Sequence, residues 1–269
     1  MGKPRTKEEI IAHKNAAITN FSSFLDTLIE SPTDNKRAVL ISYWLNDFQT
    51  FLSQEKTFDS SKIKSYKRGD VIKVNLGFNV GSEQGGLRYA IVLDKNNKHN
   101  SKTLTIVPLA SLKDERRVNE RDIALGRELY NRLKSKYDST LESLTEKRIE
   151  YEENVESTNA ILKSLKTFQY DDSPSKDALD YIIQHTEEML ATQQEALRLL
   201  DDESKNLKKI ESELQKMKDG SIAKIEQITT ISKQRIYDPK RSSDVLSGIR
   251  FSDTAMDKIN EKIKELYIF

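Results

Sequence analysis

The stretch Gly81 to Asp94 reads GSEQGGLRYAIVLD and joins two unlike halves. Its first half sets Gly81, Gly85 and Gly86 around Ser82, Glu83 and Gln84, and its second half, Tyr89 to Leu93, has the apolar, β-branched composition of a buried strand. Arg88 stands at the junction, where a buried cation without a partner would cost several kcal/mol. A glycine-rich loop can cradle phosphate, but GSEQGG lacks the Lys-Ser/Thr of a nucleotide-binding P-loop and no helix follows it. What remains is an exposed loop offering backbone N–H groups beside a guanidinium whose planar fork suits phosphodiester oxygens. The plain structural alternative is an ion pair between Arg88 and Glu83.

The elements that must position this junction are short β-type runs. VIKVNL (71–76), YAIVL (89–93) and TLTIVPL (103–109) are separated by turn-rich segments, VNERDIAL (118–125) is a weaker candidate, and strand texture returns in SIAKIEQITTIS (221–232). Between them, leucines and other apolar residues recur at three- and four-residue spacing from Leu129 to Leu165 and again from Met189 to Met217, broken by DDSPS at 171–175. This predicts an antiparallel helical hairpin about 60 Å long, at about 1.5 Å per residue. It reads as a partner-binding arm or as a spacer. A three-strand remnant would leave open edges, so the hairpin is expected to interrupt one β domain rather than to separate two. Residues 7–30 and 36–54 each carry an apolar helical stripe and predict an N-terminal helix pair with Trp44 in its core. Ser252 is a fitting N-cap for a last helix starting near Asp253.

Composition bounds the chemistry. The 269 residues are 32% charged and carry a net charge of +1, but residues 112–220 sum to −6 and the remainder to +7. The basic part is the one suited to a polyanion. With no cysteine and only His13, His99 and His185, widely spaced, no metal site or other cofactor is expected. The N-terminus MGKPRTKEEI has no apolar core and nowhere do about 18 apolar residues run together, which predicts a cytoplasmic protein that does not enter a membrane.

The blocks KRGDVIKVNLG, GSEQGGLRYAIVLD, TLTIVPLAS, IEQITTISKQRI and DKINEKIKELY resemble, in order, the successive blocks of the PemK/MazF toxin family. They cover Lys67–Ser111 and Ser221–Phe269, a little over a third of the chain. The resemblance implies an SH3-like β-barrel that cleaves single-stranded RNA without metal, works as a homodimer and is held inactive by an antitoxin protein. The fold expected is therefore α+β: a small SH3-like antiparallel β-barrel interrupted by the helical hairpin. Its parts are an N-terminal extension at 1–64, barrel segments at 65–126 and 220–269, and the insertion at 127–219.

Carried over, the catalytic arginine of the family falls on Arg88, and the loop that shapes the RNA groove falls on Ser82, Glu83, Gln84 and Gly85, with Gln227 in the downstream block. Lys98, beside Lys95 and Lys102 in DKNNKHNSK, is expected to contact the RNA backbone. The implied reaction is attack of the RNA's own 2′-OH on the adjacent phosphorus. Arg88, a permanent cation and a poor proton donor, would stabilise charge on the phosphorane oxygens. The chain departs from the family where relatives carry threonine after the VP strand: here stands Ala110, and the nearest hydroxyl is Ser111. A one-residue step along a strand turns the side chain to the other face, so Ser111 replaces the threonine only if the strand ends or bulges there. Tyr89 and Thr229 also depart from the common pattern. The alternative to an endoribonuclease is a catalytically weakened barrel that binds RNA or protein, with the hairpin as its interaction arm.

Overall fold

The alternating apolar residues of VIKVN, LRYAIV and TLTIVPLASL form β1 (Val71–Asn75), β2 (Leu87–Val92) and β3 (Thr103–Leu112). Three consecutive antiparallel strands result, with Ile72 opposite Ala90 and Ala90 opposite Pro108. The computed structural model describes residues 6–112, 118–167, 173–218 and 220–268. The weaker candidate is realised as β4 (Asp122–Gly126). The run 221–232 is not one strand: β5 (Gly220–Lys224) and β6 (Thr229–Ser232) are separated by a 3-10 turn at Ile225–Gln227 whose Ile225 is buried. A further strand not expected from the sequence, β7 (Ile236–Asp238), pairs with β1.

The sheet runs β4-β5-β3-β2-β1-β7, with β6 also on β3. β6 and β7 therefore sit on opposite margins of the β3-β2-β1 trio, and a flat sheet would hold them roughly 19 Å apart, four strand spacings. Only Lys233–Arg235 connects them, a reach of at most about 14 Å. The sheet must curl. Its inner face closes over Ile72, Val74, Ala90, Val92, Leu104, Ile106, Ile231 and Ile236. The other face carries Val71, Ile91, Val107 and Leu109 against α5 (Asp253–Tyr267), which Ser252 caps by accepting from the Ala255 amide. The molecule is thus α+β.

The long hairpin consists of α3 (Glu128–Thr167) and α4 (Ser173–Lys216). Its expected turn at 171–175 falls in part outside the described residues, at 171 and 172. It leaves from β4 and returns into β5, and these two strands pair with each other, Ile123 opposite Ala223. The sequence expectation of one interrupted β domain agrees with this pairing. The hairpin is not a separable arm, however: Leu129, Leu133 and Ile210 at its base lie in the same buried cluster as Val107, Leu109 and Ile259. Glu128 ties its first turn to α5 by accepting from the Ser252 amide at 2.6 Å.

The N-terminal pair is α1 (Lys7–Glu30), opened by a Thr6–Glu9 capping box, and α2 (Asn35–Gln54). Leu28, Ala38 and Ile41 are the residues they bury. Trp44 does not enter a core between the helices: it is half-buried, over Gly77 and beneath the Arg235 guanidinium 5.3 Å from its ring, and so docks α2 on the β domain. Gln234 adds a hydrogen bond to the Phe51 carbonyl at 2.7 Å. Ile10, Ile18, Phe21, Phe24 and Ile29 of α1 remain exposed.

The placement of Leu129, Leu133 and Ile210 makes hairpin length and hairpin base separable. Removing residues 143–206 and joining the stubs through a short glycine linker is expected to leave the β domain folded with a cooperative melt by circular dichroism. Removing 129–217 is expected to abolish that melt. Each buried aliphatic lost costs about 2–5 kcal/mol, against a total stability of about 5–15 kcal/mol for a typical domain.

Candidate functional site

Arg88 is the second residue of β2, and the loop before it is held by backbone geometry. The Gly86 amide donates to the Gly77 carbonyl at 2.6 Å and the Leu76 amide to the Gly86 carbonyl at 2.9 Å. Gly85 must be glycine because a Cβ there would stand 2.9 Å from the Gly77 carbonyl oxygen, and Gly86 because its φ is +74°. Asn79 Nδ2 then fixes the Gln84 carbonyl at 2.8 Å, while the Gln84 amide donates to Gln227 Oε1 at 3.2 Å. Two residues far apart in sequence, Gln84 and Gln227, are thereby brought together.

The ion pair between Arg88 and Glu83 does not occur. Arg88 is exposed, and its Nε donates to the Gly85 carbonyl at 2.9 Å. Its terminal guanidinium nitrogens have no protein partner among the described residues. Arg88 lines a cleft of about 120 Å³ that Ala110 and Ser111 also line. β3 neither ends nor bulges at this point: Ala110, Ser111 and Leu112 stand opposite Ile222, Ser221 and Gly220 in unbroken register. Arg88 therefore shares the face of Ala90, Pro108 and Ala110, whereas Ser111 turns with Leu109 to the other. Ser111 reaches the cleft, but from the opposite side of the strand to the position the threonine would hold.

A second cleft, of about 520 Å³, is lined by Glu83, Gln84, Gln227, Thr229, Pro108 and Arg235. It meets β3 at Pro108, two residues from Ala110 in the first. Ser82 and Gly81 are exposed on the intervening loop. Lys98 is not brought here. It follows the far end of β2, in a separate basic depression with Lys67, Arg68, Lys95 and Arg250, and its carbonyl accepts from the buried Lys233. Among the described residues no group of three or more His, Asp or Glu is placed to hold a metal ion, and no helix is long and apolar enough to cross a membrane.

Residues 67–157 match the family described as PemK-like, MazF-like toxin of type II toxin-antitoxin system. This segment is similar to a PemK/MazF-like toxin domain. No curated protein matches it. The matched segment holds β1 to β4 and most of α3, while β5, β6 and β7, which complete the same sheet, lie beyond the insertion. Arg88, Ala110, Ser111 and Gln84 are inside the match, whereas Lys216, Met217, Lys218, Gly220 and Ser221 of the Arg88 cleft lie beyond it.

Several cleft residues were invisible to sequence reasoning. Lys73 of β1, and Lys216 and Lys218 at the end of α4, line the Arg88 cleft. Lys73 pairs with Glu213, which also accepts from the Tyr89 hydroxyl. Burial and the Glu213 carboxylate push the Tyr89 phenol up, so it stays a donor. Burial raises the Glu213 carboxyl, but the hydrogen bonds from Lys73 and Tyr89, with the charges of Lys73 and Lys216, together outweigh it and hold the group below its usual 4.5. A carboxyl lowered on folding contributes stability that is complete above its unfolded value and is lost as pH falls through the folded one. Urea unfolding of wild type and Glu213→Gln is therefore expected to differ by a constant amount above about pH 5, wild type being the more stable. The difference should shrink progressively below about pH 4.

Proposed function

We propose that this protein is a toxin-like, sequence-selective endoribonuclease that cleaves single-stranded RNA without a metal ion. The observation that carries the reading is the Arg88 guanidinium, free of any carboxylate among the described residues, in the family-matched segment and at a cleft that this segment lines in part. The 2′-oxygen attacks the adjacent phosphorus, the bond from phosphorus to the 5′-oxygen breaks, and the products are a 2′,3′-cyclic phosphate and a 5′-OH. The 2′-hydroxyl proton leaves to solvent and the departing 5′-oxygen takes one up. Arg88 stabilises the charge that grows on the phosphorane oxygens, where a preorganised cation in a cleft is worth most. Ser111 donates a hydrogen bond to the phosphate from the other side of β3.

The Gln84–Gln227 cleft, with Glu83 and Thr229, receives bases flanking the scissile linkage and sets the sequence preference. An antitoxin protein covers the same clefts, the active species is a homodimer, and both work in the cytoplasm. Ala110 favours a second reading: a site that grips RNA, or a partner protein, without cutting it.

Cleavage of mixed-sequence single-stranded RNA in excess EDTA separates the two. Wild type is expected to cut and to leave 2′,3′-cyclic phosphate and 5′-OH ends. Arg88→Ala should lose about 10²- to 10³-fold in rate, the range for removing one oxyanion-stabilising donor. Its melting curve should match wild type, since Arg88 is exposed. Binding without cleavage by wild type would select the second reading, and cleavage by Arg88→Ala at the wild-type rate would remove Arg88 from the site. Ala110→Thr restores a hydroxyl on the Arg88 face of β3 and is expected to leave the rate equal or higher.

A further inference from the structure

The cleft beside Arg88 is built in part by the insertion. Lys216 ends α4, Met217 packs against the buried cluster of the β domain, and Lys218 precedes β5, whose Ser221 stands opposite Ser111. Met217 thus pins the chain to the core while the lysines on either side of it line the cleft with Arg88 and Ala110. The charges there do not cancel. Lys73 is neutralised by Glu213, but Lys216 and Lys218 are exposed and form no ion pair among the described residues. Arg88, Lys216 and Lys218 therefore leave one small cleft net positive, although the Glu213 carboxylate is also felt by Lys216. Cations in a last helical turn gain only modestly from the helix dipole, and such a gain does not require two of them to share a cleft with an arginine.

We propose that Lys216 and Lys218 bind RNA phosphates in this cleft, at the scissile linkage and its neighbour, and so supply part of the charge stabilisation that position 110 no longer offers. This rests on the ribonuclease reading for its catalytic part alone; the phosphate contacts stand without it. The insertion is then a contributor to the site and not merely an appendage of it. The ammonium groups complement Arg88: the guanidinium fork engages two phosphoryl oxygens in a fixed plane, and the mobile lysines add point charge that follows the strand.

The test uses the full chain and two measurements on wild type and the double variant Lys216→Ala/Lys218→Ala. The first is binding of a 2′-O-methyl single-stranded RNA, which lacks the attacking hydroxyl, by fluorescence anisotropy across a salt series. Each phosphate contact contributes about 0.7 to the slope of log K against log salt, so the double variant is expected to lose about 1.4. The second is cleavage of the matching unmodified RNA, where kcat/KM is expected to fall about 100-fold, with Lys216→Arg/Lys218→Arg remaining within about threefold of wild type. Lys147→Ala/Lys163→Ala removes the same charge from exposed positions on α3 and is expected to change neither quantity. An unchanged salt slope in the lysine variant overturns the proposal, as does an equal loss in the α3 control. If wild type binds the methylated strand but cuts no RNA, the ribonuclease reading falls, and the salt slopes still decide whether these lysines hold phosphate.

Discussion

One strand holds three others. β3 pairs with β2 along one edge through Ile106–Pro108, and along its other edge with β6 through Thr103–Ile106 and with β5 through Leu109–Leu112. Its ten residues thereby join the segments before and after the insertion into one sheet. The burial of Leu104, Ile106, Val107 and Leu109 on alternate faces follows from the same strand, which feeds the inner core and the core under α5 at once. The candidate site lies at Ala110 and Ser111, beyond the residues paired with β2 but still paired with β5. Its rigidity is inherited from the sheet.

Around that point the chain concentrates unlike kinds of support. The loop before Arg88 is fixed by backbone contacts that admit no side chain at Gly85, whereas the opposite wall is fixed by Met217 in the core and by the Lys73–Glu213–Tyr89 cluster. Carboxylates are used to satisfy Lys73 and to clamp Ser252, and none is spent on Arg88. A cation left without a partner in an otherwise well-paired neighbourhood is the arrangement expected of a surface that meets anions.

How much of this the sequence disclosed depended on the range of the interaction. Strand and helix identities were legible from periodicity, and Arg88 from its setting between glycines and an apolar strand. The inward and outward sense of Ala110 and Ser111 also followed from alternation. The three-partner role of β3 was not legible, because Leu109 to Leu112 look like a strand end until β5 arrives from beyond the insertion. Leu129 and Leu133 occupy heptad positions whether they face a partner helix or a β-domain core, so periodicity cannot tell the two apart. Lys216 and Lys218 look like any solvated lysine on a charged helix. Lys98 is near Arg88 in sequence, but a whole strand separates them. Trp44 read as helix-pair core, yet the surface it meets belongs to Gly77 and Arg235.

The pairing of β4 with β5 also sets an order of events. Bringing these strands together across a disordered loop of roughly 100 residues, instead of a tight turn of about four, costs about 3 kcal/mol more in closure entropy. Contacts of such long range are slow to form. Pairing of α3 with α4 removes that penalty beforehand, because each contact along the two arms, such as Lys166 with Glu187 and Arg148 with Asp201, shortens the effective loop until the arms end side by side at β4 and β5. During synthesis β1 to β4 emerge first and must wait, with the β5/β6 margin of β3 uncovered, until the second arm has been made. The insertion is thus also the clasp that decides when the sheet can finish.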